Sequence, residues 1–186
     1  MGQYFENFKD ALPDVKKVRK IKKDLEKKGV KYIYSNWIDF LGSPKTKPMP
    51  ISDFEDLCMG KGPQFAVHSV SFVPELTPAD NDQIPVPDLD SLVICPWDKT
   101  CAWVFADLYW NDKPYDVCPR MTLKKQIKES AKSDLKFFVG IEPEFFLMKW
   151  EGDKPVKAID RDPINLRRQA FGSVSYTHLR AHETHP

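Results

Sequence analysis

The sequence predicts an α+β fold in which one helix covers a small sheet. An amphipathic repeat opens the chain, because Val15, Val18, Ile21 and Leu25 recur at spacings of three and four. Several segments rich in β-branched and aromatic residues follow it, as strands require. Sixteen prolines stand against eight glycines, a proportion that suits strand ends and rigid turns and argues against a long helical bundle.

Composition and length restrict the class of protein. The 186 residues include 28 Lys and Arg against 27 Asp and Glu, with 41% hydrophobic and 12% aromatic residues, which is a globular composition and not a disordered or collagen-like one. No apolar run approaches the roughly 18 residues of a membrane-spanning helix, and no signal-peptide core follows the charged N-terminus. We therefore expect a cytoplasmic protein with no membrane partner.

Positive charge is concentrated in residues 1–31, which hold ten Lys and Arg against five acids. This segment could attract phosphates or an acidic partner. Alternatively it is the solvated face of the first helix, which the apolar periodicity favours. A nucleic-acid interface would need aromatic or arginine residues among the lysines, and Arg19 is the sole arginine there. The sequence therefore predicts no nucleic-acid partner.

The strands follow the helix in order. Gly29 offers a stop, and residues 30–40 read as a first strand. Residues 65–73 alternate as a second strand, and the four prolines of residues 74–87 predict an ordered loop. Two apolar runs, residues 91–97 and 101–110, are separated by a short polar turn and predict a hairpin.

The four cysteines contain no C-x-x-C pair and no zinc-type spacing. Cys95 and Cys101 flank the turn of the predicted hairpin and could face each other across it. Buried free thiols are the favoured interpretation for all four, because disulfide frameworks are rare in cytosolic chains.

A second unit begins near residue 116, with a helix that Thr122 can cap. Residues 137–150 then form a run that is apolar on both faces except at Glu142 and Glu144, which predicts a strand covered on both sides. Residues 151–172 hold too few apolar residues to cover it, so we expect a truncated chain.

Glu142 and Glu144 are the sharpest chemical signal. In a strand, residues i and i+2 lie on one face about 6.6 Å apart, and two buried carboxylates require a counter-charge. A pair of Mg²⁺ or Mn²⁺ ions would supply it and would suit phosphoryl transfer. The alternative is an edge strand whose glutamates meet water, and Pro143 between them is compatible with such an edge.

Residues 173–186 differ from the rest of the chain in composition and in their lack of an apolar pattern. They hold three of the four histidines, and the spacing of His178, His182 and His185 invites a metal-site interpretation. The segment also lacks core periodicity and resembles a translated cloning adapter. We interpret residues 173–186 as a non-native tail and exclude them from the fold argument.

Residues 140–147 (GIEPEFFL) and residues 36–42 (NWIDFLG) each combine one or two acids with a glycine and aromatic residues. The first segment is similar to the G-x-E-x-E-F-F-L segment that opens the catalytic domain of glutamine synthetases, and the second is similar to the aromatic-x-D-x-x-G strand end of that family. Residues 119–124 (PRMTLK) resemble the P-R-x-x-L-K start of the catalytic domain. The P-D and P-W pairs at residues 87–88 and 96–97 resemble the family's pattern before it.

The resemblance implies roles for three residues. Glu142 would hold the metal on the nucleotide side, and Glu144 the metal that activates the glutamate carboxylate. Asp39 would help bind and deprotonate ammonium in the active site of a neighbouring subunit. Without the resemblance, the sequence around Asp39 would indicate only an ordinary strand-end or turn aspartate.

The sequence also departs from the common bacterial pattern. Residues 65–69 (FAVHS) replace F-D-G-S-S, so a second ammonium-side aspartate has no counterpart. Residues 76–80 (LTPAD) and 86–88 (VPD) look more like the branch with type III glutamine synthetases and γ-glutamylmethylamide synthetases. Loss of one acid would make the amine pocket less selective for a small cation.

The resemblance therefore implies an N-terminal extension over residues 1–14, a β-grasp-like domain over residues 15–113 and the incomplete start of a glutamine synthetase-type catalytic domain over residues 114–172. The complete protein would join the glutamate γ-carboxyl to ammonia through γ-glutamyl phosphate, using ATP and Mg²⁺ or Mn²⁺, as a homo-oligomer with shared sites. This piece alone would be inactive. The alternatives are a ligase for methylamine or another small amine, and a non-enzymatic β-grasp interaction module.

Overall fold

The computed structural model describes residues 2–67, 76–143 and 146–158. The chain divides into two compact units, one up to Lys136 and one from Phe137 onward, and each is described by itself. Across these described ranges, no helix is long and apolar enough to cross a membrane.

Within its described residues, the first unit combines four helices with seven strands. The helices are α1 (Phe8–Ala11), α2 (Val15–Lys27), α3 (Phe54–Cys58) and α4 (Pro119–Ala131). The strands are β1 (Tyr32–Ile38), β2 (Pro44–Pro50), β3 (Phe65–Ala66), β4 (Asp82–Pro87), β5 (Val93–Ile94), β6 (Cys101–Trp110) and β7 (Lys113–Pro114). Two short 3₁₀ turns, Ile51–Asp53 and Leu89–Ser91, complete this mixed α and β architecture.

The long strand β6 lies at the centre of the sheet, whose order is β2-β1-β6-β4-β3. Strand β1 pairs with it in parallel, with Tyr32 opposite Cys101. The other described pairings of this sheet are antiparallel, including β5 and β7 against β6. The pairing of β5 with β6 confirms the predicted hairpin.

Helix α2 confirms the amphipathic prediction. The Asp14 carboxylate accepts a hydrogen bond from the Lys17 backbone N–H at 2.9 Å and so satisfies one of the free N–H groups at the helix start. Val18 and Leu25 are buried in a core that also contains Phe54 and Leu57 of α3. The helix ends before Gly29, whose φ of +85° suits a residue without a Cβ.

The loop prediction for residues 74–87 is wrong in its second half. Residues 82–87 form β4 and pair with β6. Pro85 and Pro87 lie beyond the pairing with β3, which ends where Gln83 meets Phe65. A proline is tolerated where only one neighbouring strand is paired, because its missing N–H then costs no ladder bond. Residues 68–73 of the predicted second strand lie outside the described part of the chain.

The second unit contains a small hairpin of β8 (Met148–Glu151) and β9 (Lys154–Lys157). The prediction of a covered strand from residue 137 is wrong, because residues 137–143 have no regular structure and are exposed. Phe138 exposes 94% of its surface. Apolar continuity predicts burial only where partner strands and covering layers exist, and among the described residues, 137–143 have neither.

Candidate functional site

Asp39 occupies the turn that joins β1 to β2. Its carboxylate Oδ1 accepts hydrogen bonds from the backbone N–H groups of Leu41, at 3.0 Å, and Ser43, at 2.8 Å. Its own N–H donates to the Ser43 carbonyl at 3.0 Å. Gly42 has a φ of +81°, which closes the turn at no steric cost. One carboxylate oxygen is therefore committed to holding the turn.

The second oxygen of Asp39 faces a cation. The side chain is only 1% exposed, and Oδ2 lies 3.4 Å from Nζ of Lys45. Oδ2 has no hydrogen-bond partner among the described residues. A buried carboxylate oxygen with spare acceptor capacity can receive an N–H group or a proton from a small cationic ligand.

Two aromatic rings stack on each other near the end of β1. Trp37, two residues before Asp39, stacks on Phe65 with ring centroids 4.1 Å apart and planes 5° from parallel. The Lys47 ammonium lies 5.6 Å from the centroid of the Phe65 ring. Position 66, where the common bacterial pattern has an acid, is an alanine. His68 and Ser69 lie outside the described residues.

The predicted metal ligands are Glu142 and Glu144. Glu142 belongs to the second unit and is exposed, and Glu144 lies outside the described residues. Over residues 2–67, 76–143 and 146–158, no group of three His, Cys, Asp or Glu side chains is placed to hold a metal ion. The described residues therefore do not by themselves fit a metal. The histidines of residues 173–186 also lie outside the described part.

A buried network of ion pairs joins two of the sequence motifs, the P-D pair at residues 87–88 and the P-R-x-x-L-K segment at residues 119–124. Lys124 of α4 donates from Nζ to Asp88 Oδ2 at 3.0 Å and to Asp107 Oδ2 at 2.5 Å. Arg120 donates from Nε to Asp107 Oδ1 at 2.9 Å and from its terminal nitrogen to Asp88. The Lys124 side chain is 1% exposed. Two acids and two bases thus neutralise one another between α4 and the sheet.

The network shifts the titration of Asp88. Burial alone would raise the pKa of this carboxyl, but hydrogen bonding and charge from Lys124, the charge of Arg120 and the Gly2 N–H hold the pKa below its ordinary value. The Gly2 N–H donates to Asp88 at 3.1 Å, so the start of the described chain also joins this cluster.

Sequence reasoning named Asp88, Arg120 and Lys124 as parts of motifs but missed that they are in contact. It also missed Asp107. The available signal was an aspartate inside the apolar run of β6, which indicates a buried charge that needs a partner. Nothing in the local sequence says which cations provide it.

The C-terminal part of the chain matches a known protein family. Residues 116–184 match the family described as "Glutamine synthetase, catalytic domain". The match begins just before α4 and runs into residues 173–186, for which the sequence predicts a non-native origin.

Curated relatives extend the likeness to most of the chain. The chain is 39% identical over 127 residues to a glutamine synthetase of Rhizobium meliloti (strain 1021), which covers 68% of this chain and 28% of that protein. It is 33% identical over 142 residues to a glutamate–methylamine ligase of Methyloversatilis universalis, covering 75% of this chain and 30% of that protein. The chain therefore spans about a third or less of the length of these relatives.

Solved structures agree with the sequence relatives. The fold is similar to that of GmaS without ligand, with a TM-score of 0.57 and 27% identity over 61% of this chain and 26% of that one. It is equally similar to GmaS in a complex with ADP, with a TM-score of 0.56 over the same shares. Sequence motifs, relatives and fold thus agree, and the chain belongs to the glutamine synthetase family.

Proposed function

We propose that the complete protein is an ATP-dependent ligase that joins the γ-carboxyl of glutamate to ammonia. The carboxyl would first take the γ-phosphoryl group of ATP, giving γ-glutamyl phosphate and ADP. Ammonia would then attack the γ-carbon and release phosphate. The observation that carries the proposal is the 39% identity with a glutamine synthetase across 127 residues, which is 68% of this chain.

Asp39 is proposed to act on the amine side of this reaction. Its buried Oδ2 can accept a hydrogen bond from NH₄⁺ and take the proton that converts ammonium to nucleophilic ammonia. The two backbone N–H donors on Oδ1 keep the carboxylate oriented while Oδ2 changes partner. Lys45, at 3.4 Å from Oδ2, would have to move aside or share the oxygen when the cationic substrate arrives.

Glu142 and Glu144 are proposed as divalent-metal ligands of the complete protein. Carboxylate oxygens are the ligands that Mg²⁺ and Mn²⁺ prefer, and such ions neutralise the charge of a transferring phosphoryl group. The remaining ligands would come from residues outside the described part of the chain.

Methylamine is a second candidate acceptor. Two observations favour it: the glutamate–methylamine ligase relative and the GmaS fold neighbours. The alanine at position 66 removes an acid that would favour a small cation over a larger amine.

The finer architecture is also a proposal. A parallel β1–β6 pair at the centre of the sheet and the packing of α2 against α3 support a β-grasp-like domain over residues 15–113. Residues 114–172 would then be the start of the catalytic domain. We further propose a homo-oligomer in which Asp39 serves the site of a neighbouring subunit.

The proposal for Asp39 is tested by Asp39→Asn in the complete ligase. The amide keeps an oxygen for the Leu41 and Ser43 N–H groups but loses the base, so γ-glutamyl phosphate should still form. Its transfer to ammonia should slow by roughly 10²–10⁴-fold. Rapid-quench measurement of the phosphorylated intermediate and of glutamine separates the two steps.

Asp56→Asn on α3 is the matched control, because Asp56 is an exposed acid of the same unit. It should leave both steps unchanged. An Asp39→Asn enzyme that transfers ammonia at the rate of the unchanged protein would remove Asp39 from the mechanism.

A further inference from the structure

The β5–β6 hairpin places two cysteines opposite each other. The register pairs Val93 with Trp103 and Ile94 with Ala102, and it continues to Cys95 and Cys101, where the Cys95 N–H donates to the Cys101 carbonyl at 2.9 Å. Directly opposed residues of antiparallel strands have Cα atoms about 4.5–5.5 Å apart. That separation lies within the range of about 4.4–6.8 Å found across disulfide bonds.

The two side chains share one cavity. Both line a space of about 300 Å³ on the sheet, together with Tyr34, Trp97 and Trp103. The indole rings of Trp97 and Trp103 lie edge to face, with centroids 5.2 Å apart. Across the described residues no third metal-ligating group completes a metal site here, so the chemistry available is that of two thiols.

The two thiols differ in access. Cys101 is 8% exposed and Cys95 is 1% exposed. The Cys101 thiol donates a hydrogen bond to Asp98 Oδ2 at 3.4 Å, and Asp98 Oδ1 accepts from the N–H of Thr100 at 2.9 Å. The turn is therefore held by its own side chains, and Cys101 is the thiol that a reagent from solvent meets first.

We propose that Cys95 and Cys101 are a reversible modification site that reacts with a low-molecular-weight disulfide of the glutathione class. The Cys101 thiolate attacks one sulfur of oxidised glutathione, and one glutathione thiolate leaves. The Cys95 thiolate then attacks Sγ of Cys101 in the mixed disulfide, which forms the Cys95–Cys101 bond and releases the second glutathione thiolate. The protein loses two electrons and two protons, and glutathione gains them.

The order of attack follows from the surroundings of Cys95. Burial, and then the negative charges of a Cys101 thiolate and of Asp98, raise the pKa of the Cys95 thiol. While Cys101 carries the mixed disulfide it has no charge, which removes one of these obstacles to ionising Cys95. Cys95 is thus suited to the second, resolving step.

Cys58 and Cys118 supply internal controls. Both are buried, and they lie in different core clusters, neither of which contains Cys95 or Cys101. Burial raises the pKa of Cys58 to about 12, which leaves little thiolate near neutral pH. Burial also raises the pKa of Cys118.

The test uses the whole 186-residue chain in buffers of oxidised and reduced glutathione. Free thiols are alkylated after acid quench and unfolding, and the chain is cut with trypsin and an Asp-specific protease. Cleavage releases Cys95 in the peptide of residues 90–97 and Cys101 in the peptide of residues 100–106, and neither peptide contains Cys58 or Cys118. Mass spectrometry should find these two peptides joined, at least about tenfold more often than any other cysteine pair.

Two variants and a denaturant control test whether the link requires Cys101 and the folded hairpin. Cys101→Ser should abolish the link without driving Cys95 into another pair, whereas Cys118→Ser should leave it unchanged. The preference should disappear in denaturant, because it depends on the hairpin. Stable glutathione adducts on Cys101, a different cysteine pair, or four thiols that stay reduced in the folded chain would each overturn the proposal.

Discussion

At the scale of single residues, the first unit contains a cluster of two acids and two bases that is largely shielded from water. Asp88 and Asp107 are buried side by side on the sheet, and Arg120 and Lys124 reach both of them. A buried pair is weak evidence for net stabilisation, but loss of one partner leaves a charge uncompensated in a low-dielectric site.

Lys124→Met should therefore destabilise the chain. The methionine fills similar space but removes the cation that both aspartates share, and Arg120 compensates for only part of it. We expect a loss of about 3 kcal/mol in the free energy of unfolding, measured by urea denaturation. Lys128→Met is the control: the same helix carries this lysine, whose ion pair with Glu6 is exposed, so the loss should be much smaller.

The pKa of Asp88 predicts a pH dependence. Because the folded-state pKa lies below its value in the unfolded chain, ionised Asp88 contributes stability above that unfolded value, near 3.8. This contribution is lost as the pH falls from there through the folded-state pKa. Asp88→Asn should flatten the acid limb of a stability–pH curve, and an unaltered limb would show that the network does not govern it.

At the scale of elements, helix α2 forms for reasons that are local. Its cap, its apolar stripe and its glycine stop all lie within residues 14–29, so the local sequence was enough to predict that the helix forms and ends near Gly29. Strand β4 was missed because its partner, β6, lies some twenty residues away and its prolines read as loop. The run from residue 137 was predicted as a strand because apolar residues say what must be buried and not whether a partner is present.

The N-cap of α2 gives a test at this scale. Asp14→Ala removes the acceptor for the Lys17 N–H, and the free energy of unfolding should fall by about 1 kcal/mol. Asp24→Ala, an exposed acid in the same helix, should change it by less than half as much. Equal losses for the two variants in thermal or urea denaturation would show that charge, and not capping, stabilises the helix.

At the scale of the whole molecule, sequence motifs predicted the candidate site better than they predicted the contacts that support it. Asp39 was predicted because residues 37–42 (WIDFLG) resemble a strand end of the family, and the structure buries its side chain at a turn whose next three residues are exposed. The Asp88–Lys124 contact joins residues 36 positions apart. Such pairing depends on how α4 packs on the sheet, which no local pattern specifies.

The central claim is that the complete protein activates the glutamate γ-carboxyl by phosphorylation before an amine attacks. The most direct measurement is an isotope transfer with glutamate carrying ¹⁸O in its γ-carboxyl, ATP, a divalent metal and either ammonia or methylamine. Our account predicts that inorganic phosphate acquires one ¹⁸O atom for each γ-glutamyl amide formed. Amide formed with unlabelled phosphate, or no amide from either amine, would contradict it.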